Sequence, residues 1–440
     1  GDQVPFWLQM NQLGVFNDSD QFQQLFLLNW YGVPQKPSDD KLQFYYGANV
    51  LGRISEHSVF RFNEYWARLT YKKWYFHVGA KAEPVFADGL SLTNGNLFLS
   101  NNARPNPRIG VGTDNFKFTQ NGWFSRFSFD AEYNEYLLQD KRVDDGVHLH
   151  HKRLDVHYTI APKWVFSAGI DHWVFWGGTV PSRGNHPSFK MPGLKDYFRY
   201  ILGRTGSSSA PETDQLNVEG NQLGQYLFSL QYNGMKSKLK MYYGHLWEDR
   251  SGIQFENAPD GLWGIYWKRL QPKPFLKSMV VEYVNTRDQS GMYHKYTPDP
   301  VNRPNYQIGE GRDNYFNHGL YKSGFVSYNR MMGLPLFIPQ INDQGFSDGF
   351  LNTRLWGIHE GMNGWLTKQI DWKTKVTYSK HYGLYGQEYP TPKQFFSASG
   401  QIGYRKAESP FAMAMKLAWD HGAILDSGFG AELILTYQIQ

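Results

Sequence analysis

The sequence predicts an all-β membrane protein: a transmembrane antiparallel β-barrel of about 18 strands, with long extracellular, lumen-filling loops. Three observations carry this. The segment 429–440 alternates, with Phe429, Ala431, Leu433, Leu435, Tyr437 and Ile439 on one face and Gly430, Glu432, Ile434, Thr436, Gln438 and Gln440 on the other. Successive strand side chains point to opposite faces, so this stretch has one apolar and one largely polar side. The composition is 17% aromatic and 19% charged with 44 glycines, and the mean hydropathy is −0.57. No run approaches the roughly 20 apolar residues of a membrane helix. Many alternating strands with aromatic residues at the interfaces fit these numbers. The third observation is an alternation of short and long connections between the strands.

In chain order, residues 5–16 (PFWLQMNQLGVF) and 21–33 read as a first pair of strands, followed by 42–54, 58–70 and 73–82. Residues 110–118 and 122–138 flank a TQNG turn; Trp123, Phe127, Phe129 and Tyr133 oppose Arg126, Ser128, Asp130 and Glu132 in the second. Residues 149–160 and 164–176 flank APK, with Leu154, Val156, Tyr158 and Ile160 opposing Arg153, Asp155, His157 and Thr159. Residues 221–233 and 236–247 surround an Asn-Gly hairpin signal. Residues 261–270 and 275–286 flank QPKP; 352–366, 371–381, 394–406, 410–421 and the final strand complete the tally.

Short connections at 71–72, 119–121, 161–163, 234–235, 271–274, 367–370 and 407–409 are expected to be periplasmic turns. Long ones at 83–109, 139–148, 177–220, 248–260, 287–351 and 382–393 are expected to be outer loops. This parity requires 5–16 to be a strand and 319–328 not to be, and it places both termini in the periplasm. Without a Pro/Ser-rich linker, residues 1–440 read as one domain, with loops 83–109, 177–220 and 287–351 plugging or capping the lumen. Their buriable aromatics include Phe98, Phe198, Tyr315, Phe316 and Phe325. About 65 residues between Arg287 and Leu351 exceed what an ordinary loop needs.

Composition also excludes partners. A net charge of +5, with scattered charges, argues against nucleic acid. The absence of cysteine rules out disulfides without fixing the compartment. No signal segment is visible ahead of Gly1, so a processed mature chain is expected.

Four phrases stand out in order along the chain: PFWLQMNQLGVF, SNNARPNPRIG (100–110), DQLNVEGNQLG (214–224) and YFNHGLYKSG (315–324). In these the sequence resembles the Wzi family of outer-membrane capsule-assembly proteins across nearly its whole length. The resemblance implies an 18-stranded barrel with lectin-like affinity for capsular polysaccharide, held at the cell surface. One departure is notable. Enterobacterial members close the periplasmic mouth with a small helical bundle, yet no capped helix of 3.6-residue period is long enough here. KDYFRYILG (195–203) reads as a short helix on the outer side.

Three functional classes remain for the residues themselves. A glycan-binding surface barrel is favoured by loops mixing aromatic, amide and basic groups. Trp176 and Tyr197 would offer stacking surface, and Arg183, Lys190, Lys195 and Arg199 charge for an acidic capsule. The same groups could instead lock loops together inside the lumen. Asn102, Arg104, Arg108, Asn317, His318 and Tyr321, from the family-like phrases, are expected to be structural or lumenal. A porin or transport channel for small polar solutes is the second class; Lys373, Lys375, Thr377 and Ser379 suit a wet lumen but equally a plugged one. An enzyme is the third. Glu132 and Glu135, or Glu248 and Asp249, could be offered as acid/base pairs, yet neighbours on alternating strands point apart, and no Ser-His-Asp signature or phosphate loop stands out. His148 and His150 share a face as two metal ligands would, without a visible third. The expectation is a non-enzymatic protein with no cofactor and no metal. Its partners would be surface polysaccharide, outer-membrane lipid and a polysaccharide export channel or other outer-membrane complex, the chain itself being a monomer.

Overall fold

The computed structural model describes residues 3–34, 40–180, 188–204, 219–290, 296–297, 306–307 and 313–439. Seventeen strands form one antiparallel sheet. They are β1 (Gln24–Gly32), β2 (Gln43–Ile54), β3 (Val59–Tyr71), β4 (Trp74–Ala80), β5 (Pro107–Phe116), β6 (Phe127–Leu137), β7 (His148–Ala161) and β8 (Trp164–Trp176). Then come β9 (Asn221–Asn233), β10 (Ser237–Trp247), β11 (Gly261–Arg269), β12 (Ser278–Asn285), β13 (Arg354–Trp365), β14 (Ile370–Leu384), β15 (Gln387–Arg405), β16 (Phe411–Gly422) and β17 (Gly428–Tyr437). Each strand pairs with the next along the chain. Among the described residues no ladder joins β17 to β1.

The sheet faces lipid outward. On β17, Phe429, Leu433, Leu435 and Tyr437 are 58–74% exposed, and on β16 the same holds for Phe411, Met413, Met415, Leu417 and Trp419 at 39–65%. A water-soluble protein would bury such rows; a membrane barrel presents them to acyl chains. Phe411 and Trp419 mark the two ends of that row, eight residues apart, or roughly 27 Å along the strand at about 3.4 Å per residue. That spacing suits the height of an outward apolar band bounded by aromatic girdles. No helix among the described residues is long and apolar enough to cross a membrane.

The inward side is polar on the wall and packed by loops. Segment 81–106 reaches inward side chains of six strands: Glu64 on β3, Asp171 on β8, Gln225 on β9, Glu282 on β12, His359 on β13 and Lys373 on β14. A sheet that touches one short segment from so many strands must curl around it. The main apolar core lies within that curl and joins Phe6, Trp7, Leu92, Phe98, Phe175, Phe316, Phe325, Phe337 and Phe350.

Residues 5–16 are not a strand, which corrects the expected count. Phe6–Gln9 forms a single helical turn, α1, and Phe6, Trp7 and Leu8 are consecutively buried at 1–4% exposure. Asn11 and Leu13 then take positive φ, which no strand continues through. An apolar run buried on every side carries no period that separates strand from helix. This segment bridges the seam from inside. The Phe6 N–H donates to Asp420 on β16 (2.7 Å), while Arg53 and Arg61, on β2 and β3, donate to the carbonyls of Val15 (3.1 Å) and Gly14 (2.7 Å). Among the described residues, Gln3 packs beside Gly428 at the start of β17. Pro5 packs where a Cβ on Gly430 would stand, near the start of β17, whereas Tyr437 closes it at the short-turn end. Residues 382–393 are likewise not a loop: β14 and β15 extend through them and turn at Tyr385–Gly386.

Candidate functional site

The long-connection end carries two basic and aromatic patches. The first lies on the outer wall. Along β8 the outward row runs Phe166 and Ile170, 38% and 41% exposed, then His172, Val174 and Trp176, which are buried. His172 stacks on Trp247 at 5.3 Å, while Val174 and Trp176 are covered by α2 (Tyr197–Ile201), whose Tyr200 packs on both in a cluster separate from the main core. The expectation that loop 177–220 fills the lumen is therefore corrected for its described helix. Even-numbered residues of β7 and β8 face outward, so α2 sits outside the wall, and Phe198 is 70% exposed rather than buried.

Glu135 fastens this helix. It accepts from His150 Nδ1 (2.6 Å), Trp176 Nε1 (3.3 Å) and the Tyr197 hydroxyl, which also meets the Tyr133 hydroxyl (2.5 Å). Burial, and then the Glu135 carboxylate, push the Tyr197 hydroxyl pKa up. Trp176 stacks on His148 at 4.6 Å and meets Tyr197 edge-on at 5.1 Å. Lys152 donates to the Ile201 carbonyl at the helix C-terminus. Both rings expected to stack on sugar are thus committed to protein: Trp176 is 6% exposed and Tyr197 half-buried. Lys190, Lys195 and Arg199 are exposed, Arg199 lying 3.5 Å from Asp196. Arg183 lies outside the described residues. His148 and His150 have ring and carboxylate neighbours, and among the described residues no group of three or more His, Cys, Asp and Glu could hold a metal ion.

The second patch was missed in the sequence. It is a lip where the extended β14–β15 hairpin meets the ends of β12 and β13. The Arg354 guanidinium lies over the Tyr385 ring at 3.9 Å, donates to the Arg287 carbonyl (3.2 Å) and approaches Glu388 at 3.6 Å. Lys393 lies over Tyr389 at 4.5 Å, and Arg287 and Lys380 each lie 5.9 Å from the Tyr382 ring. The Tyr385 hydroxyl donates to the Asp288 carbonyl (2.7 Å) and that of Tyr389 to Leu351 (3.1 Å), so the rings are held rather than loose. Arg287 and Arg354 lie far apart in sequence, and only strand pairing joins them. The turn glycine at Gly386 between alternating residues was the available signal.

Inside, wall carboxylates hold segment 81–106. Glu282, fully buried, accepts from Ser91 Oγ (2.7 Å), Leu92 N–H (2.6 Å), Thr93 Oγ1 (2.9 Å) and the Tyr242 hydroxyl (2.8 Å). Asp171 accepts from Asn96 (3.1 Å) and Gln225 (2.8 Å) and pairs with His151 (2.6 Å). At the tip, Asp88 meets Lys268 (2.8 Å), Ser278 (2.6 Å) and Lys277 (3.3 Å). Burial opposes charge on Asp88, but these partners outweigh it and hold the carboxyl at about 2.

The family-like phrases build this interior. Asn102, 2% exposed, donates to the Met331 carbonyl (2.9 Å). Arg104 donates to the Phe62 carbonyl (2.9 Å), and Arg108 bonds Glu83 (2.6 Å) and the Tyr136 hydroxyl (2.7 Å). Asn317 brackets Phe350, accepting from its N–H (2.8 Å) and donating to its carbonyl (2.9 Å). His318 Nδ1 accepts from the N–H groups of Leu320 (3.2 Å) and Tyr321 (3.3 Å); burial lowers its pKa to about 4. Tyr321 stacks on Phe175 at 5.9 Å.

A curled antiparallel sheet with an outward apolar belt and a loop-packed interior defines an outer-membrane β-barrel. The model of the capsule assembly protein Wzi family matches residues 35–337, and the chain belongs to that family. Among solved structures, it is similar to Escherichia coli Wzi, an outer membrane protein involved in group 1 capsule assembly and a carbohydrate-binding β-barrel. That match has 12% identity and TM-score 0.55 over 94% of this chain and 84% of the other. OpdQ of Pseudomonas aeruginosa aligns at 11% identity and TM-score 0.46, over 94% and 91% of the two chains. No curated protein matches in sequence.

Proposed function

We propose that this protein binds surface, capsular polysaccharide at the outer face of the outer membrane and holds it there by binding alone, without catalysis. On this reading the end with the turns at 72–73, 162–163 and 234–236 faces the periplasm, and the end with 81–106, α2 and the lip faces out. Family membership supports the capsule role, and Escherichia coli Wzi, of the same fold, is a carbohydrate-binding barrel. The observation that carries the site is the lip, where Arg354, Lys393 and Arg287 stand against three tyrosine rings. Tyrosine faces suit sugar rings, and guanidinium forks suit sugar carboxylates. A second contact through Lys190, Lys195 and Arg199 is the weaker reading, because their apolar neighbours are exposed with them.

Replacing Arg354 and Lys393 by Ser and Tyr385 by Ala tests the site. Three half-buried contacts at roughly 0.5–1 kcal/mol each amount to about a tenfold loss or more in affinity. The variant is expected to shed capsule that wild-type cells retain, measured as cell-bound against released polysaccharide. Normal barrel assembly with unchanged retention would rule the lip out. The channel reading is disfavoured by the interior packing, since 81–106, 313–351 and the N-terminal segment are bonded to the inner wall and to one another; steady currents in a planar bilayer would restore it.

A further inference from the structure

We propose that α2 and the turn before it form an interfacial anchor that holds a phosphate-bearing glycolipid of the outer leaflet against the outer wall. This goes beyond polysaccharide binding and rests on the barrel's lying in the outer membrane with the proposed outward facing of its long connections.

Backbone bonds run helically through this stretch, from Asp196 N–H to the Gly193 carbonyl onward to Gly203 N–H at the Tyr200 carbonyl. Leu194, Phe198 and Leu202, spaced by four, are 79%, 70% and 56% exposed. The opposite side, Tyr200 and Ile201, is buried at 0% and 6%. The helix therefore turns one apolar stripe onto the wall and a second one away from the protein. Lys195 and Arg199, also spaced by four, stand beside the outer stripe, and both are exposed. Between 189 and 204 there are four basic residues and one acid, Asp196.

Position selects the occupant. The outward belt of β8 is exposed as far as Ile170, and α2 covers the row at Val174 and Trp176. Tyr197, on the helix, bonds Tyr133, a belt residue that is 38% exposed. The outer apolar stripe thus continues the lipid belt at its upper edge, where acyl chains give way to phosphorylated sugars. Helices with an exposed apolar face and flanking basic residues lie in such interfaces. A soluble polysaccharide would satisfy the cations but leave the leucines in water.

The full chain, reconstituted in phosphatidylcholine vesicles doped with bisphosphorylated lipid A, provides the test. Lys195→Ser with Arg199→Ser is expected to lower lipid A retained on the re-extracted protein about tenfold, and Leu194→Ser with Phe198→Ser to lower it comparably. Because the chain has no cysteine, Phe198→Cys offers a single labelling site. Its fluorophore should be quenched by brominated acyl chains. Unchanged lipid A in both double variants, or an unquenched label, would overturn the proposal. So would protection of the label by soluble acidic polysaccharide alone, or crosslinking between copies through it. Should the double variants fail to assemble, quenching of the exposed single-site label decides. Capsule retention by the lip is read separately and is expected to survive these substitutions.

Discussion

Glu282→Ala should unfasten segment 81–106 from the barrel wall. The carboxylate is fully buried and accepts four hydrogen bonds, three from consecutive loop residues Ser91, Leu92 and Thr93 and one from Tyr242. Each charge-assisted bond is worth roughly 1.5–3 kcal/mol net, but the four share one acceptor and cannot be summed. Removing the shared acceptor leaves neutral buried donors unpaired at about 1–3 kcal/mol each, partly relieved by rearrangement, for a net cost of about 4 kcal/mol. A loss near 4 kcal/mol raises the detached population roughly a thousandfold. Asn96 on Asp171 and Asp88 on Lys268 remain, so the segment should open transiently rather than leave. In a planar bilayer the native protein is expected to be silent and the variant to show brief openings. Protease cleavage within 81–106 should rise in parallel. Glu282→Gln, which keeps an acceptor oxygen, should fall between the two. A variant as silent and as protease-resistant as the native chain would refute this account of the anchor.

Gly333→Ala should also loosen the interior, since a Cβ there would stand 1.9 Å from the Leu97 carbonyl oxygen and force segments 81–106 and 313–351 apart; loss of heat-modifiable gel migration or increased proteolysis would show it. Leu433→Lys, on the lipid face at 67% exposure, is expected to cost about 2–4 kcal/mol in folding titrations from urea into vesicles, and no change would mean that this face does not meet lipid. His318 is half-buried, and desolvation lowers its pKa to about 4, so the folded state resists protonation. Its contribution is full above about 6.5 and is lost as pH falls towards 4. The native protein should therefore lose about 2 kcal/mol between pH 7.5 and 5, and His318→Gln, which keeps an acceptor, should flatten that dependence.

Alternation made most of the walls legible. Leu154, Val156 and Ile160 face outward and Arg153, Asp155 and His157 inward because a two-residue period is a property of the strand itself. The short helix at 197–201 was also local, built from its own hydrogen bonds. What lies on each side of the wall was not. Phe6 reads like a strand residue until its N–H meets Asp420, 414 positions away, and its burial depends on the concave interior those distant strands create. Trp176 and Tyr197 looked like a sugar platform because aromatic rings beside cations suit one. Only the fold shows Glu135 holding both, and α2 on the outer wall rather than in the lumen. The lip required β12, β13, β14 and β15 to be paired before Arg287, Arg354 and Tyr385 could meet. The sequence by itself thus determined most of the strands and which of their faces meets lipid, since both follow from neighbours one or two residues away; 5–16 and 382–393 escaped it. The tertiary structure alone decided where the non-strand segments pack, because that is set by contacts whose sequence separation leaves no periodic trace.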